Sequence, residues 1–108
     1  MSTNIMSTET VGEKLRCIRE EKELPLRKAA ALLDIDVAIL SKMERGERKI
    51  TKEVVLKLAE MYDYNADELL VSFLSDKILN EIQDEELGIE ALKVAEERAK
   101  YIKVNKKK

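Results

Sequence analysis

The segment from Leu24 to Arg48, LPLRKAAALLDIDVAILSKMERGER, constrains this chain more than any other. Two short apolar-striped stretches flank a tight break at Asp34. Pro25 suits the first turn of a helix, where its missing N–H costs nothing. Ala29, Ala30, Leu32 and Leu33 form the expected buried side of that helix, and its small residues let another helix approach closely. Asp34 falls at the left-handed turn position, which Asp tolerates better than most residues at some strain cost. Ile35 plugs the turn. Asp36 caps a second helix that buries Leu40 and Met43, runs to about Glu44 and leaves through Gly46.

The flanking sequence supplies more helices. Thr10 with Glu13 makes a capping box, and Val11, Leu15 and Ile18 line one face of a first helix that fades near Lys22 or Glu23. Thr51 caps a fourth helix with Val54 or Val55, Leu58 and Met61 as its core positions. Asn65 and Glu68 repeat the cap-plus-acid spacing and open a fifth. Leu70, Leu74, Ile78 and Ile82 recur every four residues, with Leu69 and Phe73 beside them, so that helix continues well beyond Leu70. A sixth is expected from Asp84 to about Ile102, its acidic start matching the helix dipole. Leu87, Ala91, Leu92, Ala95 and Ala99 fall at helical spacing within it. With one Pro and three Gly in 108 residues, few breaks are forced on such a chain.

The central segment has the form of a helix-turn-helix, whose second helix enters the DNA major groove. Arg19, Ala30, Ile35, Leu40, Glu44, Gly46 and the Leu58–Ala59 pair make it resemble the Cro/cI-type, lambda-repressor-like domain of the XRE family of regulators, from about Val11 to Leu70. The resemblance implies an all-α fold: a five-helix DNA-binding domain with an additional C-terminal helix. It implies a structural pair between Arg19 and Glu44, and base-facing positions at Val37, Ala38, Ser41 and Lys42. Family members often carry polar residues at those positions, and a Gln where this chain has Leu26. Val37 and Ala38, with Ile39 nearby, can touch a thymine methyl but read no donor or acceptor, whereas Lys42 can reach guanine O6 or N7. Arg45, Arg48, Lys49 and Lys52 follow the second helix, and Arg27 and Lys28 sit near the start of the first. These six are the expected phosphate contacts.

Charge is compatible with this reading without compelling it. Net charge is −2, but Val11–Thr51 carries 10 basic against 8 acidic residues and the remainder 10 against 14. A mildly basic reading face on an acidic support results. Phe73, Leu74, Ile78, Ile82, Leu87, Leu92 and Ala95 exceed what a five-helix core needs and are expected to form a homodimer interface. The last helix either exchanges between copies or folds back on its own; the sequence leaves both open.

Expected divisions are a disordered tail over residues 1–9, the DNA-binding domain over 10–72, a helical dimerisation extension over 73–103, and a basic disordered tail over 104–108. With no His, no nucleophile elbow, no phosphate-cradling glycine loop and no Cys/His metal spacing, neither catalysis nor a cofactor is expected. Cys17, alone, forms no intramolecular disulfide and reads as an ordinary helix residue. The longest apolar run, Ala29–Leu33, is far too short to span a membrane, and no signal pattern opens the chain, so a cytoplasmic location is expected. The partner expected is a double-stranded DNA operator bound by a homodimer, with no small-molecule ligand. The competing reading is a protein-interaction module or antitoxin on the same scaffold with weak or no DNA reading, which apolar Leu26, Val37, Ala38 and Ile39 would suit.

Overall fold

A computed structural model of the chain describes residues 9–106, with side chains through Lys103. The tail expected over residues 1–9 lies, apart from Glu9, outside the described residues. The described residues form six helices and no strand: α1 (Val11–Glu21), α2 (Leu26–Leu33), α3 (Val37–Glu44), α4 (Lys52–Met61), α5 (Ala66–Ile82) and α6 (Gly88–Lys106). The chain divides after Asp76 into two units.

In the first unit every helix but α2, which follows Pro25, starts where a side chain supplies an acceptor. Thr10 Oγ1 accepts from the Glu13 amide while Glu13 Oε1 accepts from the Thr10 amide, completing the capping box. Asp36, Thr51 and Asn65 accept from the amides of Ala38, Val54 and Glu68 respectively. The helix ends share one device. Leu24, Ile35, Glu47 and Tyr64 each donate an amide five residues back, to Arg19, Ala30, Lys42 and Ala59. This is the Schellman closure, and it needs a left-handed residue just before the donor. Those residues are Glu23, Asp34, Gly46 and Asp63, with φ of 55°, 61°, 78° and 53°. Gly46 alone adopts that conformation without strain.

The core gathers Val11, Leu15, Ile18, Ala29, Ala30, Leu33, Leu40, Met43, Val55, Leu58, Ala59, Tyr62, Leu69 and Phe73. A fully buried large aliphatic such as Leu15 or Leu58 contributes roughly 1.5–3 kcal/mol, so α1 and α4 are held mainly by this cluster. Leu32, expected inside, is 62% exposed. Ala29, Ala30 and Leu33 already form the inner stripe of α2, and Leu32 falls off it by one helical step. Gly12 permits the closest backbone approach: a Cβ there would lie 2.4 Å from the Met43 carbonyl oxygen. That contact seats α1 directly on the end of α3. The Val11 amide donates to Asp76 Oδ2 at 2.9 Å, tying α5 to the start of α1.

Phe73, expected at a dimer interface, packs instead in this core, one helical turn beyond Leu69. The buried face of α5 is thus Leu69–Phe73 rather than the Leu70–Leu74–Ile78 stripe, whose last two members are exposed.

In the second unit α6 begins at Gly88, not Asp84. The amides of Glu85 and Gly88 donate to Ile82 and Glu85 carbonyls, so the acidic cluster forms a reversal before the helix. A Cβ at Gly88 would lie 2.5 Å from the Ile82 carbonyl oxygen, so only glycine fits this turn. At its far end α6 continues past Ile102 to Lys106, into the stretch expected as a tail.

Candidate nucleic-acid interface

α3 has one face turned inward and one outward. Leu40, Met43 and Glu44 are buried, and Ile39 is half-buried against the core. Val37, Ala38 and Lys42 are exposed and Ser41 is half-buried, so the four expected base-facing residues share the outward face. Leu26 packs half-buried against the core at the start of α2, as an apolar residue there should.

The inward face is fixed by an ion pair. Arg19 Nε donates to Glu44 Oε2 at 2.8 Å and Nη2 to Oε1 at 3.1 Å, while Nη1 donates to the Leu24 carbonyl at 2.9 Å. Both side chains are at least nine-tenths buried. The hydrogen bond to Glu44 holds the guanidinium pKa above its ordinary value against the cost of burial. One guanidinium therefore joins α1, the α1–α2 turn and the end of α3. The Tyr62 hydroxyl lies in the same region, buried and without a hydrogen-bond partner among the described residues. Burial, reinforced by the Glu44 charge, pushes its pKa up to about 12.

The cations around α3 differ in availability. Arg45 donates from Nε and Nη2 to both carboxylate oxygens of Glu47, each at 3.1 Å, and from Nη1 to Ser41 Oγ. Its hydrogen bond holds the Glu47 carboxyl below the usual carboxylate range. Arg45 is thus braced across the exit of α3 while its side chain stays exposed. Arg27, Lys28, Arg48, Lys49 and Lys52 are exposed and make no ion pair among the described residues. Pro25 offers no side-chain cap, and with the Lys28 and Ala29 amides donating to its carbonyl, the Leu26 and Arg27 amides keep their donors.

This arrangement of short helices, a left-handed Asp34 turn and a buried Arg19–Glu44 clamp coincides with a helix-turn-helix family model that matches residues 15–69, just over half the chain. The chain belongs to the Cro/cI-type helix-turn-helix family. Among curated relatives of this helix-turn-helix chain, an HTH-type transcriptional regulatory protein of Pyrococcus horikoshii is 36% identical over 52 residues, covering 48% of this chain and 16% of that protein. The HTH-type transcriptional repressor RghR of Bacillus subtilis is 38% identical over 53 residues, covering 48% of this chain and 39% of its own length. This chain therefore spans well under half the length of either. No solved structure matches it significantly.

Of the residues expected at a dimer interface, Leu74, Ile78, Leu87 and Ala95 are exposed, Ile82 and Leu92 are half-buried, and Phe73 is in the core. Three features of this helix-turn-helix domain escaped sequence reading: the close approach at Gly12, the buried Tyr62 beside the clamp, and the Ser41–Arg45–Glu47 brace. Gly12, two residues after a helix cap, was the available signal for the first, since glycine inside a helix is costly without a packing reason. Among the described residues, no helix is long and apolar enough to cross a membrane, and no group of three His, Cys, Asp or Glu could hold a metal ion.

Proposed function

We propose that the chain is a sequence-specific, double-stranded DNA-binding transcriptional regulator that lays α3 with its two caps, about residues 36–45, in the major groove. The observation that carries this reading is the outward face of α3: Val37, Ala38, Ser41 and Lys42 on a helix whose other face is locked by the Arg19–Glu44 pair. A rigidly seated reading helix is what base discrimination requires, because hydrogen bonds to base edges tolerate little displacement. Lys42 reads guanine O6 or N7. Arg48, Lys49 and Lys52 near one end of α3, and Arg27 and Lys28 with the leading amides of α2, hold phosphates. Arg45 contributes by ordering Ser41 and the exit loop. Both curated relatives are named as transcriptional regulators, which supports the same role here.

The functional species is a homodimer on a pseudo-palindromic operator, with half-sites spaced by one helical turn, about 34 Å. Within the second unit, exposed Ile78 and Leu87 with half-buried Ile82 and Leu92 offer apolar side chains that pairing would cover, and the first unit separately exposes Leu74. Light scattering at micromolar concentration checks it: a monomer refutes the dimer.

Selection of bound sequences from random duplex DNA tests the reading. A defined half-site should be enriched. Lys42→Ala should relax its specificity by about 1–3 kcal/mol at one base pair. Arg48→Ala should weaken all sequences alike. No enrichment, with no binding even at low salt, would instead favour a protein-interaction module.

A further inference from the structure

We propose that the leading end of α3 reads the C5-methyl group of a pyrimidine, and therefore accepts thymine and 5-methylcytosine on the same footing. This rests on the DNA-reading role above and specifies its ligand chemistry.

The outward face of α3 changes character along its length. At the leading end stand Val37, 42% exposed, and Ala38, also exposed. Neither is needed by the core, which α3 supplies through Leu40 and Met43. The Ala38 amide is already engaged, donating to Asp36 Oδ1 at 2.7 Å. Further along, Ser41 is held by Arg45, and Arg45 is closed onto Glu47. Lys42 is left as the exposed polar reader, and beyond the Asp36 cap, whose Oδ1 accepts from the Ala38 amide, the first turn of α3 presents aliphatic Val37 and Ala38.

A base edge in the major groove presents donors, acceptors and one apolar group, the C5-methyl of thymine. An aliphatic side chain gains nothing from a donor or an acceptor and gains dispersion and burial from the methyl. Cytosine lacks that methyl, and 5-methylcytosine carries it at the same ring position. Thymine and 5-methylcytosine differ at the O4 acceptor against the N4 donor, which Val37 and Ala38 cannot sense. Burying one methyl is worth about fourfold in affinity. Replacing thymine by uracil should then cost the same factor as replacing 5-methylcytosine by cytosine, since each exchange leaves the opposing purine unchanged.

The test uses the duplex enriched by selection, resynthesised with deoxyuridine at each thymine in turn. At every position that responds, a second pair of duplexes carries 5-methyldeoxycytidine or deoxycytidine. Affinities are read by fluorescence anisotropy with the full chain. At least one position per half-site should show matching thymine/uracil and 5-methylcytosine/cytosine ratios of about fourfold. Both ratios should fall towards one in Val37→Ser or Ala38→Ser, whose exposed positions leave the core intact. Ratios near one at every position of an enriched duplex overturn the methyl reading while leaving DNA recognition standing. A thymine/uracil effect without the 5-methylcytosine/cytosine effect also overturns it. Failure to enrich any duplex overturns DNA reading, and the methyl reading with it.

Discussion

Removing either member of the Arg19–Glu44 pair should cost far more stability than removing both. Surface ion pairs contribute about 0–1 kcal/mol, because water and salt screen them. Here the carboxylate is 5% exposed and the guanidinium side chain 10%, so screening is slight. Glu44→Leu leaves a buried guanidinium with only the Leu24 carbonyl as partner. Arg19→Met leaves a buried carboxylate beside the Tyr62 hydroxyl. Stranding one charge in this way costs about 3–5 kcal/mol. Against a total stability of about 5 kcal/mol for a small domain, either single change leaves the fold marginal. The double variant Arg19→Met with Glu44→Leu replaces both charges by apolar side chains and should lose less than either single one. Urea unfolding followed by far-UV circular dichroism measures this. At a slope of about 1 kcal/mol per M, each single change should lower the midpoint by about 3–5 M, with the double variant nearer wild type. Single costs below about 1 kcal/mol that add in the double variant would refute the buried-clamp reasoning.

Other features of the first unit make separate predictions. Gly12→Ala drives a Cβ to 2.4 Å from the Met43 carbonyl oxygen and should destabilise by about 1–3 kcal/mol, seen as a lowered Tm. Glu23→Gly relieves left-handed strain at the end of α1 and should stabilise by about 1 kcal/mol in urea unfolding. Asp34→Gly should gain less, because Asp tolerates that conformation better. Tyr62 has its pKa raised to about 12 from the ordinary 10, so the fold favours its protonated form. That stability is intact below pH 10 and lost as pH rises towards 12, by about 2–3 kcal/mol. Tyr62→Phe should flatten this alkaline loss when stability is followed from pH 9 to 12.

The helix-turn-helix was legible because its signals are local. Caps at Thr10, Asp36, Thr51 and Asn65 act within three residues of their targets, and apolar spacing marked Leu15, Leu40 and Leu58. The Arg19–Glu44 contact is long-range, and it was anticipated only because the family pattern places it. What was not legible depends on phase and distance. One helical step puts Leu32 outside and Phe73 inside, and an apolar stripe read by composition cannot fix that step. The Asp84–Glu86 cluster suits a helix start by charge, yet turn hydrogen bonds and the Gly88 contact with Ile82 move the start on. Arg45 reads as a phosphate contact by position, and its pairing with both oxygens of Glu47, two residues away, carries no periodic signal in the sequence.

If α3 and its surrounding cations form a DNA-reading surface, the affinity of the full chain for its selected duplex must depend on salt concentration. Log affinity should fall steeply with log salt, by about 0.9 for each phosphate held. Arg48→Ala should lessen that slope by about 0.9 per bound copy, and a scrambled duplex should bind more weakly throughout. Equal affinity for selected and scrambled duplexes, or an affinity indifferent to salt, would mean that α3 and these cations do not form a DNA-reading surface.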